Sequence, residues 1–171
     1  VGMRRLLVML LALHIVVLTS CSEDGAQTES VGVTGESSCV VKSGGTWSGP
    51  PLDESGLPGS TQSDYVLSCT GPASDPRAEV SWINTINCDF VFDGEATVGT
   101  CQGTSVGTND AGTWEGTLVG TTTWNKTNPG HMHVVDVATV GSDGYEGLTF
   151  VYTVEGIDDP WTLTGTIGPA G

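Results

Sequence analysis

The chain has 171 residues, with 5 basic against 20 acidic side chains and a formal net charge of −15. A surface so poor in cations repels phosphate, which argues against nucleic-acid binding and against electrostatic adhesion to anionic head groups. Glycine and threonine abound and no stretch carries the Leu-Ala-Glu-Lys periodicity that sustains helices, so the expectation is an all-β domain of ordinary size.

At the N-terminus, Met3, Arg4 and Arg5 precede an apolar run over 6–18, and Leu18-Thr19-Ser20-Cys21 follows. Charge, apolar run and small-residue box in this order make an export signal. The run is too short for a membrane span, which needs about 20 apolar residues. The rival readings are an ordinary secretory signal with a chance cysteine, or a helix tucked into a core. The box resembles the lipobox of bacterial lipoprotein precursors. That resemblance implies cleavage after residue 20 and acylation of Cys21 with groups such as palmitate, anchoring the protein on the extracytoplasmic face of a membrane. Two acyl chains suffice where one is marginal, at about 0.8 kcal/mol per buried methylene. Loss of Arg4 and Arg5 leaves Lys42, Arg77 and Lys126 against 20 acidic residues, a net charge of −17. Lipid, not charge, would then do the anchoring.

Residues 21–38 are small, polar and acidic and predict a flexible tether; the domain is expected over 39–171. Alternation and turn residues predict strands at 65–70, 78–84, 87–92, 96–103, 113–124, 132–140, 145–155 and 161–168. In the strand from Thr113, the residues Trp114, Leu118 and Thr122 share one face with Gly116, Gly120 and Trp124. In the strand from Tyr145, the residues Leu148, Phe150, Tyr152 and Val154 do the same. Short strands with one apolar face imply an antiparallel β-barrel of about eight strands, or a sandwich, with closure removing exposed edges.

With Cys21 given to lipid, Cys39, Cys69, Cys88 and Cys101 remain, an even number in an exported chain, and this predicts two disulfides. Three pairings are open. Asp93-Gly94-Glu95 is a turn-rich junction between two strands, and with Gly94 and Glu95 at the centre of a hairpin, Cys88 stands opposite Cys101. Cys39 then pairs with Cys69 by elimination. Zinc is the rival use of four cysteines, but no Cys-x-x-Cys pair occurs.

Gly45-Thr46-Trp47-Ser48-Gly49 echoes Gly112-Thr113-Trp114-Glu115-Gly116, with Gly144-Tyr145-Glu146-Gly147 as a looser variant. An aromatic ring between glycines suits a barrel wall, the ring filling space that the glycine leaves. A ligand platform is the alternative reading. Gly112-Thr113-Trp114-Glu115-Gly116, Val140-Gly141-Ser142-Asp143-Gly144-Tyr145-Glu146-Gly147-Leu148 and Leu163-Thr164-Gly165-Thr166-Ile167 resemble the C-terminal half of allene oxide cyclase-like and dirigent-like eight-stranded barrels, over roughly residues 74–168. The resemblance implies a barrel whose interior holds a small apolar ligand; it transfers no catalytic residue.

Candidate chemistry is sparse. His131 and His133 flank Met132 at the start of a strand, so both imidazoles would project from one face. Two ligands do not make a tight site, so neither a resident metal nor any other cofactor is expected. Arg77 is the single arginine left after signal removal and could clamp a carboxylate ligand or pair with Asp75 or Glu79. Glu115 and Glu146, between glycines, could serve as general bases if they faced inward; solvent is the bland alternative. The acidic loops at 109–110, 142–143 and 158–159 follow no calcium-loop spacing. The expected function is that of a lipid-anchored barrel binding a small apolar ligand or an envelope partner without catalysis. The alternatives are a cyclase- or isomerase-like enzyme that uses the barrel cavity, and a purely structural surface module.

Overall fold

The computed structural model describes residues 29–49, 60–92, 96–125, 128–157 and 159–171. Residues 1–28, which hold the expected signal segment and Cys21, lie outside these residues. Eight strands make up the described chain: β1 (Val31–Ser48), β2 (Ser60–Thr70), β3 (Ser81–Phe92), β4 (Ala96–Thr108), β5 (Gly112–Asn125), β6 (Asn128–Asp143), β7 (Leu148–Gly156) and β8 (Trp161–Pro169). Each pairs antiparallel with its neighbour in sequence, and β1 also pairs with β8, from Val31 opposite Ile167 to Ser37 opposite Trp161. The result is the expected closed, all-β barrel, in which no strand keeps an unpaired edge.

The strands differ from the expected ones in several places, among them β2, β4 and β6, which are longer than expected. β1 begins at Val31, so 31–38 belong to the barrel wall and not to a tether. Its local signal is weak because Val33 is its sole deeply buried aliphatic residue, and its pairing with β8 is a contact between distant parts of the chain. The segments 78–84 and 87–92 are one continuous strand, β3, with Ala78 left in a short 3₁₀ turn (Pro76–Ala78). Tyr145 lies in the β6–β7 connection, where its amide donates to the Ser142 carbonyl and its own carbonyl accepts from Leu148.

The period-two alternation sets inside from outside along each strand. Trp114, Leu118 and Thr122 of β5 are buried while Glu115, Thr117, Val119 and Thr121 are exposed. Phe150, Tyr152 and Val154 of β7 point inward, and Val151 points out. The outward positions of β4, β5 and β8 carry mostly threonine, with Glu115 and Gln102 among them. These three strands thereby differ from those of a lipid-facing barrel, whose outer band is apolar, while Ile83, Val91, Val140 and Val151 are exposed on β3, β6 and β7.

Along β4 the inward positions are small: Gly99, Cys101, Gly103, Ser105 and Gly107. The neighbouring strand fills the space they leave. A Cβ on Gly99 would stand 2.5 Å from the Phe90 ring, and one on Gly107 would stand 2.6 Å from the Trp82 ring. β3 thus supplies the large rings and β4 the room for them.

The β2–β3, β4–β5 and β6–β7 connections gather at one end of the barrel, and aromatic side chains seal it. Trp114 is fully buried, stacks on Tyr145 and tilts against Phe150. Its indole N–H donates to the Arg77 carbonyl oxygen at 2.8 Å. Phe150 stacks on Tyr152 with centroids 4.5 Å apart, and Trp82 packs on Tyr152 at 5.2 Å.

Both disulfides form as expected, Cys39–Cys69 between β1 and β2 and Cys88–Cys101 between β3 and β4. In each, the two cysteines are directly opposed, with Cα atoms 4.1 Å apart, the close approach typical of a non-hydrogen-bonded antiparallel pair.

Candidate functional site

Beyond the aromatic seal the interior is not filled. A cavity of about 370 Å³ occupies it, a volume within the ordinary range for small-molecule sites. Among the described residues, seven of the eight strands line it, β4 excepted, and β1 contributes the small residues Ser37 and Cys39 to its wall. Leu67, Ile86, Leu118, Val137, Val154 and Leu163 form much of its wall, with Trp47, Phe90 and Trp161 among the aromatic lining. Trp47 is 46% exposed and packs on Phe90 with centroids 5.3 Å apart. Sulfur atoms belong to this surface too, since Cys39, Cys69 and Cys88 line it.

A few polar groups interrupt the apolar wall. The Gln62 side-chain amide donates to the Gly44 carbonyl oxygen at 2.9 Å and is satisfied there. Tyr65 joins Gln62 inside because the β2 register shifts between them, at Asp64, whose φ is 56°; burial raises the Tyr65 hydroxyl above its ordinary pKa. Tyr152 is more deeply buried, and desolvation pushes its hydroxyl far up against a weaker downward pull from Ser105. His133 lines the cavity with its ring 4.8 Å from that of Trp161.

Two buried oxygens on lining residues have no partner within the protein: Asn84 Oδ1 and Thr122 Oγ1. The Asn84 amide N–H donates to Cys69 Sγ at 3.5 Å. A buried polar atom left without a hydrogen bond costs about 1–3 kcal/mol, so these two oxygens mark places where the interior is incomplete on its own. No Asp, Glu, Lys or Arg is among the lining residues described.

The candidates expected from sequence are dispersed. Of them, His133 is in the cavity wall. His131 pairs with Trp124 in β6, but its side chain lies outside the described residues. Glu115 faces outward and is exposed, and Glu146 is exposed in the β6–β7 connection. Neither reaches the interior, which corrects any reading of them as inward bases. Arg77 lies at the sealed end, with Nε 2.9 Å from Asp75 Oδ1 and Nη2 2.6 Å from Asp75 Oδ2. Its guanidinium is engaged in a structural pair, and hydrogen bonding to it holds the Asp75 carboxyl below the usual range.

Among the described residues, no three His, Cys, Asp or Glu side chains gather to hold a metal ion. Asn109 Oδ1 is consumed by the amides of Ala111 and Gly112 and by the Tyr145 hydroxyl. Asp159 Oδ1 accepts from the Cys39 amide at 3.0 Å. Arg77 and Glu115 therefore contribute to structure or surface, and the site is made instead by Asn84, Thr122, Tyr152 and the apolar wall. The available signal for Asn84 was a polar residue at an inward position between Trp82 and Ile86. No protein-family model, curated protein or solved structure matches this chain.

Proposed function

We propose that this protein is an extracytoplasmic binding module whose barrel holds a small, chiefly apolar molecule, and that Cys21, acylated at its lipobox, tethers it to a membrane. The observation that carries the reading is the 370 Å³ cavity inside a closed barrel, walled by aliphatic and aromatic side chains with a few convergent polar groups. The two disulfides suit an oxidising compartment, and the threonine-rich outward faces of β4, β5 and β8 suit a domain held in water beside a membrane. We favour binding over cyclase or isomerase chemistry because Arg77 is paired with Asp75 at the sealed end and Glu115 is outside the barrel. We favour it over a purely structural role because a barrel serving only as a spacer gains nothing from an unfilled interior.

The test uses the full chain carrying Cys21→Ala, which removes the acylation site and leaves the barrel residues as they are. Titration with the neutral fluorophore N-phenyl-1-naphthylamine should give saturable, one-to-one binding. Leu118→Trp, which fills the cavity, should abolish that binding while the β-sheet circular dichroism persists. Absence of saturable binding, or binding undiminished by Leu118→Trp, would overturn the proposal.

A further inference from the structure

We infer that the ligand is uncharged and carries a hydrogen-bond donor, a hydroxyl or an N–H, which it delivers to Asn84 Oδ1 at the floor of the cavity. This rests on the binding reading above and narrows it to a ligand class.

The floor is defined by Trp82 and Tyr152, which line the cavity and pack on each other against the aromatic seal. Asn84 is the next inward residue of β3 after Trp82 and faces the same space. Its neighbours across the sheet, Leu67 on β2 and Ser105 on β4, leave its Oδ1 unsatisfied. Ser105 Oγ is itself sealed from solvent and lacks a partner at hydrogen-bonding geometry, although the Tyr152 hydroxyl is close enough to feel it. The floor thus holds a small polar island in an apolar chamber.

The unpaired Asn84 atom is a carbonyl oxygen, an acceptor only. A ligand that meets it with an ether, ketone or carboxylate oxygen sets two acceptors against each other, whereas a hydroxyl or N–H completes it. Charge is selected against separately. With no Asp, Glu, Lys or Arg among the described lining residues, an ionised ligand would lose its hydration and meet no permanently charged partner. Sites built to hydrogen-bond one group reject analogues that leave that group unpaired.

The test is calorimetric titration of the full chain carrying Cys21→Ala with three naphthalenes of similar size: 2-naphthol, 2-methoxynaphthalene and 2-naphthoate. The donor-bearing neutral probe, 2-naphthol, should bind about three- to tenfold more tightly than 2-methoxynaphthalene, the value of one net hydrogen bond, and 2-naphthoate should bind weakest. In Asn84→Leu the advantage of 2-naphthol over 2-methoxynaphthalene should vanish while the ether keeps its affinity. Asn84→Met serves the same purpose should the leucine variant not fold. Equal wild-type affinity for naphthol and ether, or an advantage that survives at Asn84→Leu, would overturn the donor assignment and leave the binding reading intact. Tight binding of the naphthoate would overturn the neutral-ligand assignment. Failure of all three probes to bind would count against the binding reading itself and this inference with it.

Discussion

Trp114 and Tyr145 stack face to face, with ring centroids 4.7 Å apart and planes 12° from parallel. One comes from the start of β5 and the other from the β6–β7 connection, and together they seal the end of the barrel opposite Trp47. The pair is anchored at both edges: the Trp114 indole N–H donates to the Arg77 carbonyl oxygen, and the Tyr145 hydroxyl donates to Asn109 Oδ1 at 2.8 Å. Trp114→Ala should therefore cost about 3–5 kcal/mol of unfolding free energy. Tyr145→Phe, which keeps the stack and loses one hydrogen bond, should cost only about 1 kcal/mol. Urea denaturation of the two variants checks this; equal losses would show that the seal does not depend on the buried ring of Trp114.

The disulfides join adjacent strands and close short loops. Replacing Cys88 and Cys101 together by serine releases a bridge with a sequence separation of 13, which should cost about 3 kcal/mol in the chain-entropy account. The paired variant should remain a barrel with a lower urea midpoint. Peptide mapping of the unreduced wild type should recover Cys88 joined to Cys101 and Cys39 joined to Cys69, and any other linkage would contradict the strand register.

Asp75 makes stability depend on acid. Hydrogen bonding to Arg77 depresses its carboxyl pKa in the folded state, in opposition to a smaller upward push from burial. A depressed folded pKa contributes stability that is complete above the unfolded value of 3.8 and drains as pH falls through the lower folded one. The urea midpoint should fall on acidification below about pH 4, and Asp75→Asn should start lower at neutral pH and show a shallower acid limb. Parallel acid limbs in the two proteins would remove Asp75 from the cause.

Attachment by lipid is checked directly in cells. Metabolic labelling with palmitate should mark the wild-type chain and leave Cys21→Ala unmarked. The variant should also appear in the soluble extracytoplasmic fraction, because its acidic surface has no affinity for anionic head groups. Label persisting in Cys21→Ala would end the lipobox reading.

Much of the barrel was legible in the sequence because its information is local. The hairpin of β3 and β4 was legible because the turn-forming residue types Asp93-Gly94-Glu95 imply a register, and the observed register runs from Ser81 opposite Thr108 to Phe92 opposite Thr97. β5 and β7 announced themselves through alternation. β3 read as two segments with Thr85 and Ile86 left between them, and it is the unbroken pairing with β4 from Ser81 to Phe92 that joins the halves.

The candidate site was much less legible. Arg77, Glu115, His131 and His133 stood out by residue type, yet type says nothing of facing, and inward placement is described for His133 alone of the four. The cavity depends on side chains from many strands, its described lining coming from every strand but β4. No window of sequence contains that sum.

The sequence by itself determined the fold class, the inward faces of the strong strands and the pairing of Cys88 with Cys101, since period-two alternation and turn geometry act between near neighbours. The tertiary structure alone decided that β1 starts at Val31 and closes the ring on β8, and that the aromatic residues crowd one end and leave a chamber with Asn84 at its floor. Closure joins residues more than a hundred positions apart, and a cavity is what remains after all eight strands have placed their side chains.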